Sequence, residues 1–186
     1  MSGRASSPNE PLRLRLNPLQ TERLVIRELT LADAAFTLEL LNDPGFHQYI
    51  GDRGIRDIAG AEKYLRDGPI TSYAKYGHGL WMVELKDGGG PVGICGLLQR
   101  DTLPQPDIGF AFLARYTGNG YGYESAFAVL HHGLNFLKIP VIVAITAEEN
   151  PPSIALLEKL GFRFDKMIQM PAYPGPSRLF AYPANT

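Results

Sequence analysis

The sequence predicts an α/β (α+β) fold, a mixed and mostly antiparallel sheet with helices packed against it. Three observations carry this. Stretches with apolar residues at alternate positions, such as Leu24 and Ile26, interleave with stretches at helical spacing, such as Leu31, Ala34, Ala35, Leu38 and Leu41. Three strand-like runs between Leu80 and Leu113 follow one another through short turns, the pattern of an antiparallel meander. Two strands, ending near Leu113 and Thr146, then run directly into helices.

Residues 1–17 are rich in Ser, Pro, Gly and Arg, so 1–18 read as a flexible leader and 19–186 as one domain. Thr21 to Leu29 has period two with β-branched residues and is a strand. Thr30 to Asn42 is a helix with Thr30 as N-cap and Asp33 in its first turn, stopped by Asp43-Pro44-Gly45. Residues 43–56 are expected as a polar, Gly-broken loop. Asp57 to Arg66 is helical, with Ile58, Ala61 and Leu65 in register; Gly68-Pro69 is expected to break it, and a weaker helical piece runs to Tyr76. LWMVEL (80–85) and PVGICGLLQR (91–100) form a hairpin across Asp87–Gly90, with Pro91 confined to an edge or a strand start. DIGFAFL (107–113) completes the meander. A helix over 119–137, a strand over 141–146 and a short helix over 150–160 follow, Gly161 standing where a C′ glycine belongs. Strands over 162–170 and 177–182 close the chain, joined by the Pro-rich PAYPGP turn.

At 186 residues, 45% hydrophobic and 20% charged, the chain has ordinary globular composition, enough for one core. Its formal net charge of -1 gives no support to a nucleic-acid or polybasic membrane partner, both of which need a positive excess. The one cysteine, Cys95, cannot form an internal disulfide, and no Cys cluster exists to hold zinc. No apolar run approaches the roughly 20 residues of a membrane helix, and the first 18 residues lack a secretory signal. A cytoplasmic protein is expected.

Chemistry concentrates at Arg115-Tyr-Thr-Gly-Asn-Gly-Tyr-Gly-Tyr-Glu-Ser125. Glycines at alternate positions (118, 120, 122) let the backbone approach a ligand closely, and the loop opens into a helix N-terminus, where unpaired N–H groups and the dipole favour an anion. Arg115 adds a charge, so the pattern suits a phosphate-bearing ligand. A Walker loop would need Lys-Ser/Thr after its last glycine, and a dinucleotide fingerprint would need G-x-G-x-x-G early in a βαβ unit; both fail. A Gly-rich turn that merely starts a helix is the plainer alternative. At the second strand-to-helix junction, Asn150 is a natural N-cap and Pro151 a natural N1 residue, so capping explains part of Asn-Pro-Pro-Ser.

Taken together, Thr-Glu-Arg-Leu-Val-Ile-Arg (21–27), Asp-Ile-Gly-Phe (107–110), Arg-x-x-Gly-x-Gly (115–120), Asn-x-x-Ser (150–153) and Glu-Lys-Leu-Gly-Phe (158–162) resemble the GCN5-related N-acetyltransferase (GNAT) superfamily. The likeness is to the branch of ribosomal-protein N-terminal acetyltransferases, and it covers Leu19 to about Tyr182. The resemblance implies helices on both faces of the sheet and a V-shaped cofactor cleft between the strands at 107–113 and 141–146. It further implies that acetyl-CoA is co-substrate; the spacing of the histidines indicates no metal site. The pantetheine would pair with main-chain groups around Phe110, Ala111, Phe112 and Leu113. The pyrophosphate would sit on N–H groups of Tyr116, Thr117, Gly118, Asn119, Gly120, Tyr121 and Gly122 beside Arg115. Asn150 and Ser153 would contact the pantetheine and the thioester end.

The implied chemistry is direct attack of an amine on the thioester, with a base for the ammonium proton and an acid for the departing thiolate. Many relatives supply that acid as a Tyr on the last helix; here Leu157 holds the place, and Ser153 is the candidate, against a first-turn hydroxyl capping its own helix. Asp107 is the candidate base, against a strand-end turn residue facing water. Glu148, Glu149 or a relayed water are the other options. His131 and His132 are about 100° apart on their helix and cannot chelate as an i, i+4 pair would; His47 and His78 are isolated. Cys95 reads as a small core residue, and Tyr121 and Tyr123 as packing.

The function so implied is acetyl-CoA-dependent N-acetylation of a primary amine, on a small molecule or a peptide or protein N-terminus, by a monomer or homodimer. A non-catalytic acyl-CoA-binding module on the same fold is the alternative. The acceptor is expected between the loop at 43–56 and the hairpin at 168–178, near Phe46, Tyr49, Asp52, Tyr173 and Arg178.

Overall fold

Alternation along the meander divides the molecule. Trp81 and Val83 pack into one hydrophobic cluster and Met82 into another; Cys95 and Leu97 go with the first, Ile94 with the second. A sheet with both faces apolar needs cover on both sides. The computed structural model, which describes residues 18–171 and 175–183, has that layout. The expected leader, apart from Pro18, falls on residues outside this range.

The strands are β1 (Leu19–Gln20), β2 (Leu24–Glu28), β3 (Leu80–Leu85), β4 (Gly90–Leu98), β5 (Asp107–Phe112), β6 (Ile142–Ala147), β7 (Arg163–Gln169) and β8 (Pro176–Tyr182). They form one sheet in the order β1-β2-β3-β4-β5-β6-β8-β7. Every neighbouring pair is antiparallel except β5–β6, which is parallel. The helices are α1 (Ala34–Leu41), α2 (Pro44–Tyr49), α3 (Ile58–Leu65), α4 (Thr71–Tyr76), α5 (Tyr121–Asn135) and α6 (Pro151–Lys159). α5 and α6 cover one face through Ala126, Val129, Leu130, Leu157 and Leu160; α1 and α3 cover the other through Leu40, Leu41, Ala61 and Leu65. Removing a side chain such as Leu65 or Phe162 from water contributes about 1.5–3 kcal/mol each.

Two local expectations need correction. The segment 43–56 is not all loop, because α2 occupies its first part. Asp43 caps that helix by accepting the Gly45 N–H at 2.9 Å, with Pro44 at the first helical position and Phe46 buried. Asp-Pro-Gly thus ends one helix and begins another. Gly68-Pro69 does not break the next helix either. Arg66–Ile70 widens into a π turn that carries Pro69 inside it and runs on into α4. Such a turn accommodates a ring that has no N–H to donate. Pro91, as expected, lies at the start of β4, where the pairing with β3 shifts register.

Candidate active site

β5 and β6 pair at one register position, Asp107 with Val143, where the Val143 N–H donates to Pro106 O at 3.0 Å. Beyond it the strands diverge. The gap is a cleft of about 750 Å³ that runs through the sheet. On one side it is walled by Tyr121, Gly122, Tyr123, Asn150, Ser153, Leu156 and Leu157; on the other by Phe46, Tyr49, Ile50, Arg53, Tyr64 and Leu80.

The first mouth is built by the glycine loop. Gly118 and Gly120 have φ of 79° and 81°, values an L side chain resists, and Gly120 is the N-cap of α5. Among the described residues, none of the backbone N–H groups of Gly118, Asn119, Gly120, Tyr121, Gly122 and Tyr123 donates a hydrogen bond within the backbone. That is a concave set of unspent donors at the positive end of a helix of 15 residues, suited to a diphosphate. A Cβ on Gly122 would stand 3.1 Å from Leu156, so glycine there lets α5 approach α6.

The charge beside this loop is not where the sequence pattern suggests. Arg115 stands off the cleft wall, pairing with Glu39 of α1 at 2.5 Å and stacking over Tyr116. Arg23 instead reaches the loop. Its guanidinium donates to the Asn119 carbonyl at 3.0 Å and to Glu124 at 2.7 Å, and lies 4.7 Å over the Tyr121 ring. Thr21 donates its hydroxyl to the same carboxylate at 2.5 Å. The Thr-Glu-Arg run, readable only as strand in the sequence, is therefore the brace of the loop. Leu113 and Asn119 also stand off the wall; the Leu113 side chain is buried and its N–H is taken by Val92 O at 3.1 Å. Phe110, Ala111, Phe112, Tyr116, Thr117, Gly118, Gly120, Tyr121, Gly122, Asn150 and Ser153 all line the cleft.

At the second junction, Asn150 accepts the Ser153 N–H at 3.2 Å, and Pro151 and Pro152 fill positions that need no donor. The Ser153 hydroxyl makes no hydrogen bond among the described residues, so it does not cap its own helix. Leu157 is buried against core and cleft alike.

Asp107 does not face water. It is 2% exposed, and Arg100 Nε donates to its Oδ1 at 2.8 Å. Ile108, Phe110 and Phe112 point into the α5/α6 cluster, so by strand alternation Asp107 shares the opposite face with Ala111, toward α2. Burial pushes its carboxyl above the ordinary range, and the Arg100 charge pulls part of that back. Glu148 and Glu149 are exposed and off the cleft.

Of the residues expected around the acceptor, Phe46 and Tyr49 line the cleft. Asp52 does not; it pairs with Arg56, which holds its carboxyl well below the usual range. Arg178 is also off the wall, and Tyr173 lies outside the described residues. Arg53, Tyr64 and Arg100 were not anticipated, since nothing in their spacing points inward. His78 is buried with its Nδ1 3.0 Å from Leu97 O, and His132 stacks on Phe136. Among the described residues no group of three or more His, Cys, Asp or Glu stands together as metal ligands would, and no helix is long and apolar enough to cross a membrane.

The family model of the acetyltransferase (GNAT) domain matches residues 23–163. The chain belongs to the GNAT acetyltransferase family. It is similar to YkkB, a protein of Bacillus subtilis strain 168 without an assigned role, at 31% identity over 81% of this chain and 88% of that one. Among solved structures, an acetyltransferase from Agrobacterium tumefaciens has the same GNAT fold, with a TM-score of 0.77 and 24% identity over 94% of this chain and 98% of that one. RimL, a ribosomal L7/L12 α-N-protein acetyltransferase solved with coenzyme A, superposes with a TM-score of 0.76 at 13% identity over 88% and 95% of the two chains. The fold is therefore common to this chain and both solved structures.

Proposed function

We propose that residues 19–186 form a single domain that transfers an acetyl group from acetyl-CoA to a primary amine. The observation that carries this is the through-sheet cleft, with unspent N–H donors at one mouth and a buried carboxylate, Asp107, toward the other. The N–H groups at 118–123 would hold the pyrophosphate, and the open edge of β5 over Phe110, Ala111 and Phe112 would pair with the pantetheine amides. Asn150 and Ser153 would flank the thioester.

Asp107 would draw the ammonium in and take its proton, directly or through a water, its raised pKa making it a better base than an exposed Asp. The freed amine attacks the thioester carbonyl, and the C–N bond forms as the C–S bond breaks. The surplus proton on nitrogen passes to the departing thiolate to give free CoA thiol, and Ser153 would donate a hydrogen bond to that sulfur as it leaves. RimL acts on a protein α-amino group, so a peptide N-terminus belongs among the acceptors to test, beside small amines.

The test is release of free thiol from acetyl-CoA with a panel of amines. Turnover with at least one amine, lost in Asp107→Asn with CoA binding kept, is the expected result. Tight CoA binding with no thiol release from any amine would give the binding-module reading instead.

A further inference from the structure

We propose that the acceptor amine carries an anionic group of its own, a carboxylate in the simplest case, and that Arg53 reads it. This rests on the acetyltransferase reading above and adds the substrate class.

Five charged residues line the cleft: Asp43, Arg53, Arg100, Asp107 and Lys159. Asp43 is committed, since its carboxylate accepts the Gly45 N–H at 2.9 Å and the Ala114 N–H at 3.0 Å. Arg100 and Asp107 are committed to each other. Lys159 belongs to α6, its ammonium 4.3 Å over the Tyr123 ring. Arg53, exposed at the rim of the cleft, has no ion pair or hydrogen bond to any described residue; Lys159 also has neither, but it lies on the α6 side, over Tyr123. Its neighbours in sequence cannot neutralise it. Asp52 pairs with Arg56 and faces His47 at 3.7 Å, and Asp57 caps α3 by accepting the Gly60 N–H at 2.7 Å.

The acceptor side of the cleft thus offers one uncompensated cation, and apart from Asp107, which receives the reacting amine beside Arg100, the carboxylates around it are already in use. A polyamine would meet repulsion there with no acid to receive its distal charges. An amine bearing a carboxylate fits instead. Its ammonium goes to Asp107, its carboxylate to the forked guanidinium of Arg53, and its body between Phe46, Tyr49 and Tyr64. Free amino acids and peptides with an acidic first residue share this chemistry.

The experiment compares thiol release for free amino acids, their decarboxylated counterparts, a peptide beginning with Asp, and spermidine, in the wild type, Arg53→Lys, Arg53→Ala and Arg53→Glu. In the wild type, kcat/KM should favour the carboxylate-bearing amine over its decarboxylated counterpart by about tenfold to a hundredfold, the usual worth of a charge-assisted pair. Arg53→Ala should erase most of that preference through KM, Arg53→Lys should restore part of it, and Arg53→Glu should turn the preference toward spermidine. The ratio of free amino acid to Asp-peptide rates identifies which source of carboxylate fits, and either supports the proposal. Equal rates for an amino acid and its decarboxylated counterpart, or a preference unchanged in Arg53→Ala, overturn it while leaving the acetyltransferase reading intact. No thiol release from any amine by a CoA-binding wild type overturns both.

Discussion

Glu124, in the first turn of α5, accepts the Arg23 N–H at 2.9 Å and the Arg23 guanidinium at 2.7 Å, joining residues 101 positions apart. The contact ties the start of β2 to the glycine loop, and the same guanidinium holds the Asn119 carbonyl. Arg23→Ala should therefore loosen the loop. The pair is half exposed on the Arg side, so its removal should cost about 1 kcal/mol or less in stability. CoA affinity should fall about 3–10-fold, within the worth of one charge-assisted contact. Calorimetric titration with CoA measures this, and an affinity equal to wild type would leave Arg23 a surface brace only.

Ser153→Ala separates catalysis from capping. Because the hydroxyl makes no hydrogen bond among the described residues, thermal stability should change by no more than about 0.5 kcal/mol. A donor to the leaving thiolate should be worth less than the roughly 2.7–4 kcal/mol of an oxyanion donor. The expected loss in kcat is thus on the order of tenfold to a hundredfold, with acetyl-CoA affinity retained. An unchanged kcat would remove Ser153 from the mechanism.

Cys95 should be chemically silent. Burial in the middle of β4 pushes its thiol up to about 12, with a hydrogen bond to Ser125 opposing slightly. Alkylating reagents at neutral pH should leave the folded protein unmodified, as mass spectrometry would register. Cys95→Ala should keep full turnover and lose about 1 kcal/mol of packing.

Acid sensitivity should trace in part to Asp33. Burial would raise its carboxyl, yet hydrogen bonds from Arg27 and from the Thr30 N–H outweigh it and hold it below 3.8. Over the window between the folded value and 3.8 the unfolded chain binds more protons there, so stability falls as pH falls. The contribution is complete above that window and gone below it. Asp33→Asn should flatten the acid limb of stability measured by urea unfolding, and a limb as steep as that of wild type would assign acid unfolding elsewhere.

Most of the fold was legible because each period in the sequence answers to one environment. Trp81, Met82 and Val83 alternate between two clusters, and Ala126, Val129 and Leu130 recur at helical spacing against one. The short helix at Pro44 was hidden by Asp-Pro-Gly, which signals a stop and a start equally well. The continuous path through Pro69 was hidden because proline in a helix ordinarily means a break, and a π turn leaves no local mark. At the site, the glycine loop and Asn150 announced themselves through backbone requirements. Arg23, Arg53 and the burial of Asp107 did not, since they depend on which strands and loops converge from distant parts of the chain.

With a single rung between Asp107 and Val143, the eight strands amount to two panels, β1–β5 and β6–β8, joined along a seam. Backbone hydrogen bonding hardly crosses that seam; α5 packs against β4 and β5 of one panel and β6 of the other, α6 against β6, and the residues of both helices share one core cluster with both panels. The side chains that stabilise the protein there are consequently the ones that set the width of the opening. Leu157 is such a residue, buried in the core on one side and lining the gap on the other. Holding the panels apart and holding the molecule together are, at this seam, the work of the same helix.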